Sequence, residues 1–99
     1  MSLPVLIRRA AELDLMRAED WYEAQRPGLG HEFRDAVDAA IARIAENPLA
    51  CPDRYLGARR ALVRRFPYVL WYRALPDRVI LLACVHGKRD PGAIGARLQ

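Results

Sequence analysis

The seven-residue run Val79–Val85 (VILLACV) is almost entirely apolar, and it constrains the fold more than any other feature of the chain. A strand that alternates apolar and polar residues can leave one face in water, but a strand that is apolar throughout must be covered on both faces. The run is therefore predicted to be a central strand of a sheet. The polar stretch from His86 to Pro91 is predicted to leave that sheet.

Two further strands are predicted just upstream of this run. Arg59–Arg65 alternates around Ala61 and Val63, and Tyr68–Leu75 is rich in β-branched and aromatic residues. Phe66-Pro67 separates these two strands, and Pro76-Asp77 is a tight-turn signal before Val79–Val85. Because short turns join consecutive antiparallel strands, the second half of the chain is predicted to be a three-stranded meander.

Two amphipathic helices are predicted in the first half of the chain. The first ends near Arg26, because a proline and a glycine follow it. The second runs from about Gly30 to Glu46 and stops before Asn47-Pro48. Along both helices apolar residues recur every three or four positions, which is the period of one helix face. They are Ala11, Leu15, Ala18 and Tyr22 in the first helix, and Phe33, Val37, Ala40, Ile41 and Ile44 in the second.

Together these elements predict an α+β fold. The short apolar run Leu3–Ile7 is expected to join the sheet, because its backbone groups need hydrogen-bond partners. The break between the helices is short, so they form an antiparallel hairpin that covers one face of the sheet. The prediction is an antiparallel sheet, made of the C-terminal meander and the N-terminal strand, in a single domain over residues 1–99. Leu49–Gly57 is predicted to be a loop, and Ile94–Leu98 one helical turn or a frayed tail.

Positive charge is concentrated in the second half of the chain. Residues 1–58 hold seven arginines and ten acidic residues, whereas residues 59–90 hold eight basic and two acidic residues. Nearly all of the basic residues are arginines, whose guanidinium groups can form bidentate hydrogen bonds with phosphate or carboxylate. This distribution predicts a negatively charged partner, namely nucleic acid or an acidic peptide or protein surface, and leaves open a solvated face without a ligand.

No pattern in the sequence indicates a disulfide framework, a metal site or a cofactor. Cys51 and Cys84 show no CxxC spacing, and His31 and His86 form no metal-ligand pattern with them. The chain also lacks the apolar stretch of a signal peptide and the roughly 18–20 apolar residues that span a bilayer. The expectation is a cytoplasmic protein that has no metal, cofactor or membrane contact.

Two segments resemble the RelE/ParE toxins of type II toxin–antitoxin systems. The run RRAAELDLMRAEDWYEAQRPGLGHEF, followed by IARIAENP, resembles their helical hairpin, and RRALVRRFPYVLWYRALPDRVILLACVHGKRDP resembles their meander. The resemblance covers about residues 5–91, and its most specific pieces are Arg65–Tyr68, Tyr72 and His86–Pro91. It implies a growth-inhibiting toxin with a role in plasmid stabilisation, bound by a cognate antitoxin in a hetero-oligomer. An arginine-rich surface is complementary to the acidic tail of such an antitoxin, a disordered segment that folds when it binds the toxin.

The same resemblance implies two kinds of target. RelE-like toxins cleave messenger RNA in the ribosome, whereas ParE-like toxins poison DNA gyrase by binding it. RelE-like enzymes carry an arginine after the Pro-Tyr turn, another beyond the last strand, and a tyrosine a few residues later. Here the first two positions hold Val69 and Arg89, and no tyrosine follows Arg89. The chain therefore resembles the ParE-like branch more closely, which implies inhibition of gyrase or a similar target.

Several side chains of the basic half are candidate site residues. If the protein is a nuclease, His86 is a candidate general acid or base, with Arg89 and Arg65 to hold a phosphate. The candidates for contact with a target or an antitoxin are Arg60, Arg64, Arg65, Tyr72, Arg73, His86, Lys88 and Arg89. The alternative for these residues is a structural role in turns and ion pairs. A third hypothesis is a non-toxic module that binds an antitoxin or nucleic acid, with Trp71 or Tyr72, which face opposite sides of a strand, stacking on a base.

Overall fold

A computed structural model describes residues 2–99 of the chain. The helices are α1 (Arg9–Gln25) and α2 (Leu29–Glu46), the strands are β1 (Val5–Ile7), β2 (Asp53–Tyr55), β3 (Ala58–Leu62), β4 (Tyr68–Ala74) and β5 (Val79–His86), and a 3₁₀ segment covers Pro91–Leu98. The strands form one sheet in the order β1-β5-β4-β3-β2. The predicted α+β fold, with a helical hairpin packed on a C-terminal meander, is confirmed.

Strand β1 joins the sheet as expected, but it runs parallel to β5. Val5 pairs with Val79 and Ile7 with Leu81. The prediction of a wholly antiparallel sheet is therefore wrong at this edge. A short turn dictates an antiparallel neighbour, but β1 and β5 are separated by both helices and the other strands, so no local signal sets their relative direction.

The predicted loop Leu49–Gly57 contains an additional short strand, β2. Asp53 pairs with Arg59, and Tyr55 with Ala58. Leu56 and Gly57, at the turn between the two strands, both have positive φ, of 53° and 81°. Two consecutive left-handed residues suit the right-handed twist of a tight hairpin. The sequence prediction missed β2 because Asp-Arg-Tyr is short, polar and bounded by turn residues.

A close approach joins the two helices of the hairpin. A β-carbon on Gly30 would lie 2.7 Å from the backbone oxygen of Glu19, so only glycine fits where α2 passes α1. The carboxylate of Glu23 accepts hydrogen bonds from the backbone N–H groups of Gly28 and Gly30, at 3.0–3.1 Å. Glu23 thereby satisfies N–H groups that the first turn of α2 leaves free.

The inner core lies between the helical hairpin and the sheet. Its aromatic centre is Phe33, which is fully buried and stacks on Tyr22 at a centroid distance of 5.0 Å. Phe66 and Tyr68 approach Phe33 edge-on from the sheet, at 5.2 and 5.4 Å. The remaining buried members include the predicted stripes of both helices, namely Ala11, Leu15, Ala18, Val37, Ala40 and Ile44. The aromatic cluster thus ties the turn between β3 and β4 to the helices.

A second core covers the opposite face of the sheet. Tyr72 pairs with Leu81 and Trp71 with Ala83, so Leu82 is an extra residue, a β-bulge that sends both Leu82 and Ala83 to this outer face. The bulge helps to explain why the β5 sequence is apolar without alternation. The cover is the 3₁₀ segment, whose Ile94 and Leu98 are buried there. The segment is thus a packed turn and not a frayed tail.

Cys84 is buried in the inner core, as expected for a residue of the apolar run Val79–Val85. Burial, and after it the nearby charge of Asp14, raise the pKa of its thiol to about 12. A thiol needs to ionise in order to react, so Cys84 is expected to be inert in the folded protein.

We expect iodoacetamide at pH 8 to modify the half-buried Cys51 at least about tenfold faster than Cys84, because Cys84 is buried and its raised pKa leaves little of it as thiolate. Mass spectrometry of peptides after timed labelling measures the two rates. In denaturant the two rates should converge, and similar rates in the folded protein would show that Cys84 is accessible.

Among residues 2–99, no helix is both long and apolar enough to cross a membrane.

Candidate functional site

Basic side chains collect at one end of the sheet, where the β3–β4 turn meets the end of β5. We call this the basic end, and it contains Arg64, Arg65, His86, Lys88 and Arg89. Two backbone hydrogen bonds hold it together, one from the N–H of Gly87 to the oxygen of Pro67 at 2.8 Å and one from the N–H of Val63 to the oxygen of Tyr68 at 3.0 Å. Five of the eight predicted contact residues thus lie together.

The β3–β4 turn begins earlier in the chain than the sequence suggested. Strand β3 ends at Leu62, so Arg64 and Arg65 belong to the turn and not to a strand. Arg65 has φ of +73°, a left-handed conformation that costs a residue with a β-carbon about 1–2 kcal/mol. The packing of Phe66 in the inner core holds this strained turn in place.

Arg65 is engaged by the helical hairpin. Its guanidinium lies 3.0 Å from a carboxylate oxygen of Glu32, which also pairs with Arg26 at 3.0 Å. Hydrogen bonds from Arg65 and then Arg26 lower the pKa of Glu32. The favourable contribution of this pair is therefore present above the ordinary pKa of a glutamate and lost as the pH falls through the lowered value. Because Arg65 already holds a carboxylate, it is less free for a phosphate than the sequence suggested.

His86 stands at the end of β5 with a defined ring orientation. Its Nδ1 accepts a hydrogen bond from the backbone N–H of Lys88 at 3.1 Å, so in the neutral ring the proton lies on Nε2. The ring packs beside Tyr68, at a centroid distance of 5.9 Å. His86 therefore presents an N–H donor, and not an acceptor, to a ligand.

Two clefts flank His86. The hairpin groove, about 360 Å³, is lined mainly by apolar residues of the β3–β4 turn, with Arg64, Arg65 and Lys88 among them. The α1 cleft, about 350 Å³, lies between α1 and the end of β5 and is lined by Asp14, Arg17, Ala18, Trp21, Tyr68, Cys84, Val85, His86 and Arg89. Arg17 and Trp21 were not predicted, because they belong to the acidic half of the sequence. Their spacing of four on α1, one turn apart, was the available signal.

Three of the predicted contact residues lie away from the basic end. Tyr72 is completely buried, and its hydroxyl donates to the backbone oxygen of Pro48 at 2.7 Å, so it is not accessible to a partner. Burial also raises the pKa of Tyr72. Arg73 donates to the backbone oxygen of Leu98 and so anchors the 3₁₀ segment. The guanidinium of Arg60 lies 5.9 Å from the ring centre of Trp71, a cation–π contact on the outer face.

The two aromatic residues proposed for base stacking, Trp71 and Tyr72, are both in the cores. Trp71 is 1% exposed and lies beneath the 3₁₀ segment, and Tyr72 faces the helices. The prediction that one of them stacks on a base is wrong, because the sheet is covered on both faces.

As for metals, residues 2–99 contain no group of three or more His, Cys, Asp or Glu side chains arranged to hold an ion.

Comparison with known proteins places this architecture in a family. Residues 5–91 match the family described as the ParE toxin of the type II toxin–antitoxin system parDE. The chain is 27% identical to Toxin ParE2 of Mycobacterium tuberculosis, with 100% of this chain and 95% of that toxin aligned.

Two solved structures share the fold. A chain of the chromosomal ParDE system from P. aeruginosa matches with a TM-score of 0.75 at 16% identity, covering 86% of this chain and 96% of that chain. A chain of the toxin–antitoxin complex RelBE2 from Mycobacterium tuberculosis matches with a TM-score of 0.60 at 24% identity, covering 87% and 99%. These two likenesses show the fold, and the family match over residues 5–91 shows that the chain belongs to the ParE toxin family of type II toxin–antitoxin systems.

Proposed function

We propose that this protein is a ParE-like toxin that inhibits DNA gyrase or a similar target by binding it, and that a cognate antitoxin neutralises it in a hetero-oligomeric complex. Family membership supports the proposal, as do the toxin–antitoxin systems named for the relatives. The proposal implies action in the cytoplasm, growth inhibition and a role in stabilising the replicon that carries the gene.

The observation that carries the antitoxin proposal is an apolar groove with a basic rim. A groove of about 330 Å³ lies between α2 and the edge of β3, and Leu62 and Arg64 line both it and the hairpin groove. Leu62 is 64% exposed at the junction of the two. Arg43, Arg64 and Lys88 line this combined surface, together with Arg65, which is paired with Glu32. None of the lining residues among the described part of the chain is acidic. An amphipathic, acidic segment has the complementary chemistry.

The backbone along β3 favours the same surface. Strand β2 pairs with β3 only at Ala58 and Arg59, so the rest of that edge has no neighbouring strand. The backbone oxygen of Leu62 accepts from the guanidinium of Arg43 at 3.3 Å, a bond that a partner strand could replace. The edge therefore offers backbone groups beside the apolar side chains.

The substitution Leu62→Glu tests this surface. It places a carboxylate at the centre of the combined groove, and we expect it to weaken binding of the antitoxin encoded beside the gene by about 100-fold, through lost apolar contact and charge repulsion. Leu6→Glu is the matched control, since Leu6 is 57% exposed at the opposite edge of the sheet. Isothermal titration calorimetry measures both affinities, and equal affinities for the two variants would place the antitoxin elsewhere.

The surroundings of the candidate nuclease residues favour inhibition of a target by binding over RNA cleavage. Val69, at the position where RelE-like enzymes carry an arginine, is buried at 2% exposure, so no cation is supplied there. Arg65 is paired with Glu32, and the Nδ1 atom of His86 is occupied by the N–H of Lys88. Cleavage requires a base for the 2′-hydroxyl and several charges on the phosphate, and these contacts reduce what is available for both.

One observation keeps the RelE-like mRNA endonuclease as a second candidate. His86 and Arg89 line the same cleft, so an acid and a phosphate-binding cation could act together there. Pulse-labelling of DNA and protein synthesis in a bacterial host, in the first minutes after induction, separates the two candidates. We expect DNA synthesis to stop first, with toxicity retained in His86→Ala. An early stop in translation that is lost in His86→Ala and Arg89→Ala would establish cleavage, and no stop in either would leave a non-toxic binding module.

A further inference from the structure

The α1 cleft has the chemistry of a ligand site, and it lies across His86 from the groove proposed for the antitoxin. Trp21 is 57% exposed, so much of its ring is accessible to a ligand. Its ring borders both the α1 cleft and an adjoining space of about 260 Å³ that Tyr22, Pro67, Tyr68 and His86 complete. The two spaces share Trp21, Tyr68 and His86, so they form one aromatic-walled recess.

The charges of this recess are unbalanced. Within residues 2–99, no carboxylate lies within 4.0 Å of the guanidinium of Arg17 or Arg89. Asp14 also lines the recess, but its carboxylate is occupied by Arg97 at 2.7 Å and by the backbone N–H of Cys84 at 3.0 Å. The recess therefore presents two unpaired guanidinium groups to an anion, with the Asp14 charge already compensated.

His86 adds a directed donor to the same wall. Because its Nδ1 accepts from the N–H of Lys88, the N–H group of Nε2 is the one left for a ligand. The small side chain of Ala18, between Arg17 and Trp21 on α1, leaves the floor of the cleft open. An indole face, two guanidinium groups and an imidazole N–H are thus brought together from α1 and the end of β5.

We propose that this recess binds a nucleoside monophosphate unit, with the base stacked on Trp21 and the phosphate held by Arg17, Arg89 and His86. A phosphate alone would not need the aromatic walls, and an acidic peptide would not need a flat exposed ring. A base stacks on an aromatic face whatever its identity, and guanidinium groups bind phosphate oxygens in pairs. The recess volume suits a ligand of this size. The unit can be a free nucleotide or the end of a single strand.

The test uses the purified full chain and adenosine 5′-monophosphate. Binding should quench the tryptophan emission of Trp21 and saturate, because the other tryptophan, Trp71, is 1% exposed and cannot be reached. Calorimetry then compares the variants. Trp21→Ala is expected to weaken binding at least about tenfold, with partial recovery in Trp21→Phe. Arg17→Gln and Arg89→Gln should each weaken it by about tenfold, from the loss of one charge-assisted contact.

Arg9→Gln is the matched control, because Arg9 is an exposed arginine of the same helix that does not line the recess. Its affinity should equal that of the wild type. Inorganic phosphate that binds as tightly as the nucleotide and is unaffected by Trp21→Ala would overturn the proposal, as would tighter binding of a hexaglutamate peptide. Absence of saturable binding up to about 10 mM nucleotide would overturn it too. A short oligonucleotide that binds more tightly than the mononucleotide assigns the site to a strand end, and equal affinity assigns it to the free nucleotide.

Discussion

Replacing Phe33 with alanine is expected to lower the free energy of unfolding by about 3–5 kcal/mol, enough to leave a domain of this size partly unfolded. Phe33 is fully buried and contacts three other aromatic rings, those of Tyr22, Phe66 and Tyr68. The substitution removes apolar contacts and leaves a cavity where the helical hairpin meets the β3–β4 turn. Chemical denaturation followed by circular dichroism measures the loss.

Trp21→Ala is the control for this substitution. It also removes an aromatic ring from the helical hairpin, but Trp21 is 57% exposed, and its removal should cost less than about 1 kcal/mol. If the two substitutions had similar effects, the aromatic cluster would not be the centre of the inner core. Because Phe66 belongs to that cluster, Phe33→Ala should also loosen the turn that carries Arg64 and Arg65.

The second large effect is expected at Asp14, whose carboxylate links α1, β5 and the 3₁₀ segment. It accepts from the backbone N–H of Cys84 at 3.0 Å and from the guanidinium of Arg97 at 2.7 Å, while Arg97 also donates to the backbone oxygen of Leu82. Strand β1 pairs with β5 only as far as Leu81, so these side chains replace the missing neighbour beyond that point. Asp14→Ala leaves an unpaired N–H and a half-buried guanidinium, at an expected cost of about 2–4 kcal/mol.

Two further variants separate the contributions of this carboxylate. Asp14→Asn keeps an oxygen that can accept from the N–H of Cys84 and should recover part of the loss. Asp77→Ala also removes an aspartate that pairs with an arginine, here Arg78 at 3.1 Å, but on the surface, where we expect at most about 0.5 kcal/mol. Thermal denaturation measures all three variants. An Asp14→Ala protein as stable as the Asp77→Ala protein would show that solvent replaces the carboxylate at the strand edge.

Periodicity along the chain is sufficient to predict most of the fold. The spacing of the stripes through Leu15 and Phe33 predicts their burial, because a helix repeats every 3.6 residues, and the unbroken apolar run of β5 predicts that this strand is covered on both faces. The same reasoning failed for the direction of β1 and for β2, since neither depends on a repeat. It also placed Tyr72 on a binding surface, because the pattern of β4 does not say which of its faces the helical hairpin covers, and Tyr72 lies on that covered face.

The candidate site, too, has features that the sequence predicts and features that only the tertiary structure decides. The sequence alone determined that basic residues follow one another at the β3–β4 turn and after β5, because neighbours in sequence stay neighbours in space, and five of the predicted contact residues do meet there. Only the folded chain brings Arg17 and Trp21 of the acidic half beside His86 and Arg89, and only the folded chain commits Arg65 to Glu32 and Arg73 to the 3₁₀ segment. The physical reason is that a cleft is a property of how helix and sheet pack, and this depends on contacts between residues far apart in the sequence.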